Sequence, residues 1–105
     1  MNRIMYTLVF SFLFMAFNAA SLEMITGHVK VLEPTYMPNT ISFSMTVGTA
    51  SCPAGTWLKW NKSEENNKAV FSTLMAALMS GKKVNVYFSD NDTTCTGQYL
   101  HLLSE

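Results

Sequence analysis

The chain has 105 residues, with seven basic and seven acidic side chains, 49% hydrophobic residues and two cysteines. A charge balance of this kind argues against nucleic acid or an anionic membrane surface as partner, since both demand a clustered positive surface. The length argues against more than one domain, and a core this small usually gains from a covalent or oligomeric supplement.

Residues 1–21 have the order of parts of a signal peptide. Arg3 supplies the basic end, Ile4 to Phe17 form an apolar run broken only by Thr7 and Ser11, and Ala19, Ala20 and Ser21 offer a small-residue cleavage site. Cleavage after Ser21 puts Ala19 at the third position back and fits the small-x-small pattern slightly better than cleavage after Ala20, which puts Asn18 there. The run is shorter than the roughly 20 apolar residues of a spanning helix, so the expectation is an exported protein, secreted or periplasmic, with no membrane span after processing. Residues 22–105 then form one domain carrying six lysines against seven carboxylates, a formal charge of −1. Both cysteines, Cys52 and Cys95, lie in this part. Export takes them to a compartment where a thiol pair oxidises, so one disulfide is expected. Closing a loop of that length removes chain entropy worth about 4 kcal/mol.

The first predicted strand covers 24–32, with Ile25, Gly27, Val29 and Val31 on the inner side and Gly27 at a bulge or bend. Residues 34–38 read as a loop because Pro34 and Pro38 cannot donate to a ladder, and it carries one aromatic, Tyr36. The clearest alternation in the chain follows: Ile41, Phe43, Met45 and Val47 face a core, while Ser42, Ser44 and Thr46 face water or a partner. A turn-rich connection with Cys52 and Pro53 leads to a short third strand, 56–60, whose Trp57 and Trp60 point to opposite faces because their separation is odd.

A helix is predicted over 63–80. Asn61 or Ser63 can cap it, Glu64 and Glu65 favour the positive end of its dipole, and Gly81 supplies a left-handed stop. Val70, Phe71, Leu74, Ala77 and Leu78 form the stripe expected to lie on the sheet. Ala69, Ser72, Met75, Ala76 and Met79, on the opposite side, are also small or apolar. Over its last three turns the helix has almost no outward charge, and such a surface should be covered on both sides, which predicts a subunit contact at Ser72, Met75, Ala76 and Met79. A fourth strand, 83–89, turns Val84, Val86 and Phe88 inward and Asn85 and Tyr87 outward. After a polar turn at 90–94, a fifth strand covers 97–103 with Tyr99 and His101.

The order β-β-β-α-β-β, mainly β with one helix, is that of an OB-fold, a small five-stranded barrel with its helix between strands three and four. An open α+β sheet accommodates the same elements.

No pattern of residues points to catalysis. His28 and His101 stand on different strands without a metal-ligand spacing, and zinc needs three or four converging ligands. No serine sits in a G-x-S-x-G turn, and the carboxylate pairs Glu64/Glu65 and Asp90/Asp92 belong to a helix start and a turn. No enzyme, cofactor or metal is therefore expected. Asn61-Lys62-Ser63 and Asn91-Asp92-Thr93 match the N-glycosylation acceptor pattern, which matters only in a eukaryotic secretory pathway. Exposed aromatic and hydroxyl groups are what remain, and sugars are bound by aromatic faces with a few placed polar groups. The candidates are Tyr36, Ser42, Ser44, Trp57, Trp60, Tyr87 and Tyr99.

Residues 52–88 carry a further signal. Cys52 and Trp57 are followed by a helix reading Phe71-Ser72-Thr73-Leu74-Met75-Ala76-Ala77-Leu78-Met79-Ser80-Gly81-Lys82-Lys83 and by Val84-Asn85-Val86-Tyr87. This stretch resembles the B subunits of subtilase-cytotoxin and pertussis-like AB5 toxins and the small exported bacterial proteins related to them. The resemblance implies an OB-fold, a homo-oligomer in the form of a pentameric ring with helices lining its channel, glycan binding, and an exported catalytic subunit as partner. It carries no individual glycan-binding residue onto this chain. The alternative is a periplasmic or secreted structural or inhibitor-type protein that acts by protein contact without a sugar site.

Overall fold

The computed structural model describes residues 21–105; except for Ser21, the predicted signal peptide lies outside the described residues. The elements run β1 (Leu22–Gly27), β2 (Val29–Glu33), β3 (Ile41–Met45), β4 (Leu58–Trp60), α1 (Glu64–Ser80), β5 (Val84–Ser89) and β6 (Tyr99–Leu102). The strands make two three-stranded antiparallel sheets, β1-β5-β6 and β2-β3-β4. The domain is therefore mainly β with one helix, with six strands where five were predicted.

The difference lies in the first strand, which parts at His28 so that its two halves enter different sheets. A Cβ on Gly27 would stand 2.6 Å from Val47 Cγ2, so the glycine serves a close approach between chain segments and not a bulge. The bulge falls at Lys30, where the register between β2 and β3 shifts between Val29 and Val31. One extra residue inverts the faces beyond it. Val31, expected inside, is accordingly exposed, and Leu32 packs against the core instead.

Alternation on β3 holds for Ile41, Phe43 and Met45, all buried. Ser44, expected on the open face, is buried as well. It pairs with Val31, and the β3–β4 register carried one residue past Leu58 sets it beside Trp57, so two larger side chains flank it. The core draws Ile25, Val84, Val86 and Phe88 from one sheet and Val29, Ile41, Phe43, Met45, Leu58 and Trp60 from the other.

The sheets meet at two joins. The chain itself passes from one to the other at His28, and an isolated parallel bridge links Lys59 to Thr96 through Lys59 N–H to Cys95 O, 2.9 Å, and Gly97 N–H to Lys59 O, 2.8 Å. Gly97 permits the second join, because a Cβ there would lie 2.8 Å from Trp60 Cε3 and 3.4 Å from Val86 Cγ1. Nearby, the predicted disulfide joins Cys52 to Cys95, with Cα atoms 5.7 Å apart, tying the β3–β4 connection to the β5–β6 connection.

Helix α1 begins and ends as its sequence dictates: Ser63 Oγ accepts the Asn66 N–H at 3.2 Å, and Gly81 closes it with φ 71°. Leu74 and Ala77 are buried and Val70 and Phe71 pack at the core margin. Leu78 does not join them. By angle it lies on the same stripe as Phe71 and Leu74, but it stands in the last turn of the helix and is 38% exposed there.

Candidate functional site

The register of the second sheet puts Glu33, Ser42 and Lys59 opposite one another, one from each strand, on its outer face. Over one end of this row stands the loop 34–40. Its backbone is internally bonded: the Met37 N–H donates to Pro34 O at 3.1 Å, and the Asn39 and Thr40 N–H groups donate to Tyr36 O at 3.0 and 3.2 Å. The Glu33 carboxylate anchors the entry, accepting the Thr35 N–H at 3.0 Å and the Thr35 hydroxyl. Those bonds, the hydroxyl foremost, hold the Glu33 carboxyl below its usual pKa. Tyr36 is thus presented to solvent, 61% exposed, on a loop that is already ordered.

Two adjoining hollows open here. One, of about 330 Å³, is lined by Glu33, Tyr36, Ser42, Trp57 and Lys59. The other, of about 600 Å³, shares Tyr36, Ser42 and Lys59 and adds Thr35, Met37, Asn39, Thr40 and Asn61. Together they form a shallow cleft with two exposed aromatics, a hydroxyl, amides and one cation. Trp57, at 51% exposure, leaves its ring available, whereas Trp60 is buried, its indole N–H donating to Asn66 Oδ1 at 2.8 Å and its ring carrying Lys62 Nζ 5.3 Å from the centroid.

Of the seven residues predicted to meet a ligand, Tyr36, Ser42 and Trp57 are brought together. Ser44 and Trp60 are buried and are corrected, Ser44 to a covered position opposite Val31 and Trp60 to the core. Tyr87 and Tyr99 form a separate ledge on the outer face of the other sheet, edge to face with centroids 6.2 Å apart, with His101 5.3 Å from Tyr87. Ser72, Met75, Ala76 and Met79 all lie exposed along one side of α1, Met79 most of all. Among the described residues, no group of three or more histidine, cysteine or carboxylate side chains gathers around a common point, and no helix is long and apolar enough to cross a membrane.

Sequence reasoning missed Glu33, Lys59, Asn39 and Asn61, which meet through strand register and loop path. It also missed Asn67, fully buried on α1. Its helical position offered one signal, a polar residue three before Val70 and seven before Leu74 on the same stripe.

Compared with known proteins, the chain matches no family model and no curated protein.

Proposed function

We propose that this chain is a non-catalytic exported binding subunit that holds a glycan in the cleft of the second sheet. One observation carries the reading: Tyr36 and Trp57, both exposed, line the same cleft as Ser42 and Lys59. An aromatic ring stacks on the apolar face of a sugar, and a few placed donors and acceptors fix its hydroxyls. The OB-like barrel belongs to the same proposal. It is supported by the order of elements, by the chain passing from one sheet to the other at His28, and by the parallel bridge between Lys59 and Thr96. Assembly into a homo-oligomer through Ser72, Met75, Ala76 and Met79 is supported by their exposure on the part of α1 beyond Lys68, which carries no charged side chain.

The test is a glycan array probed with the oxidised protein and with Tyr36→Ala and Trp57→Ala. Binding to a defined set of sugars that both variants lose supports the reading; a folded wild-type protein that retains no glycan sinks it. The second reading, a secreted structural or inhibitor-type protein acting by protein contact alone, is favoured by the exposed Met75 and Met79 and by the Tyr87–Tyr99 ledge. Under that reading the array is empty while an exported protein is captured.

A further inference from the structure

We propose that Asn67 is the positioning residue of the cleft, fastening both of its walls from beneath; the assignment rests on the binding reading above. Asn67 has no exposed surface, and every polar atom of its amide is engaged across elements. Oδ1 accepts the Lys62 N–H at 2.8 Å, and Nδ2 donates to Pro38 O at 2.8 Å and to Asn39 O at 3.0 Å. An N–H on one side and two carbonyls on the other leave a single orientation for the amide.

These three partners belong to the two walls. Pro38 and Asn39 close the loop whose Tyr36 carbonyl accepts from Asn39 and Thr40, so holding them holds the turn that presents the Tyr36 ring. Lys62 directly follows Asn61 at the far lip and lies three residues beyond Lys59. A stripe position on an amphipathic helix is ordinarily apolar, and an apolar side chain here would leave the Lys62 N–H and the Pro38 and Asn39 carbonyls without the partner that joins them. The helix therefore sets the width of the cleft through one amide, although α1 contributes no residue to the lining.

Hydrogen exchange, read amide by amide on the oxidised wild-type protein and on Asn67→Asp, tests the assignment. In the wild type the Lys62 N–H, the Asn67 side-chain amide and the Asn39 and Thr40 N–H groups are expected to exchange through one common opening, distinct from that of the β5 amides. Aspartate keeps an acceptor for Lys62 but has no donor for Pro38 and Asn39. The Asn39 and Thr40 amides should then exchange about tenfold faster while Lys62 changes little. Uniform acceleration through both sheets, or an unchanged loop, would assign Asn67 to general packing and overturn the proposal. Should Asn67→Asp fail to fold, the wild type decides alone, since walls that open independently of Asn67 also overturn it. An empty glycan array counts against the functional reading and leaves this exchange result as it stands.

Discussion

Asp92 accepts three hydrogen bonds in the turn between β5 and β6: from Thr94 N–H at 2.8 Å, Thr94 Oγ at 2.7 Å and Thr96 N–H at 3.1 Å. The Thr94 hydroxyl is the leading cause of a carboxyl pKa held below the usual value. A depressed folded-state pKa contributes stability that is fully present above the unfolded value and lost as pH falls through the folded one. Glu33 has the same sign. Acidification below about pH 4 is therefore predicted to destabilise the wild type more than the double variant Glu33→Gln/Asp92→Asn, as read from denaturant midpoints across pH. Gly97→Ala, forcing a Cβ against Trp60 and Val86, is predicted to cost about 1–3 kcal/mol of unfolding free energy. The two tryptophans should respond in opposite ways. Trp60→Ala opens a cavity costing about 3–5 kcal/mol, whereas Trp57→Ala should change stability by no more than about 0.5 kcal/mol while removing one wall of the cleft.

At the level of elements, α1 shows which inferences a sequence supports. Its caps, its first-turn carboxylates and its exposed methionine side were all legible, because each depends on neighbours within a turn or two. Met75→Glu and Met79→Glu are predicted to leave a folded monomer that still unfolds cooperatively on heating, and to lower the mass measured by light scattering to that of a single chain. If those variants stay assembled at the wild-type mass instead, the subunit contact does not lie on this face of α1. The strands were legible where alternation is local, as in β3 and β5. The parting of β1 from β2 was not, because it depends on Val47 reaching Gly27 from the connection after β3. The inversion of Val31 and the burial of Ser44 follow from the bulge at Lys30, which no local propensity marks.

For the whole molecule, the disulfide joins two connections whose cysteines are 43 residues apart. Removing it with Cys52→Ser/Cys95→Ser is predicted to lower stability by about 4 kcal/mol, measured from the shift in the denaturant midpoint. The cleft was half legible. Tyr36, Ser42 and Trp57 stood out as exposed aromatic and hydroxyl groups, yet nothing in their spacing separated them from Tyr87 and Tyr99 on the other sheet. Glu33, Ser42 and Lys59 align only once strand register exists, and Asn67 acquires meaning only when the loop and helix are packed together.

The contrast between the two tryptophans, with 51% of Trp57 but only 3% of Trp60 open to solvent, also provides the protein with two optical channels. Trp57 should emit at long wavelength, be quenched readily by acrylamide and report what enters the cleft. Trp60 should emit to the blue, resist the quencher and report only whether the chain is folded. A Trp60→Phe variant would isolate the first signal and a Trp57→Phe variant the second, so occupancy and unfolding could be followed separately in one titration without any attached dye.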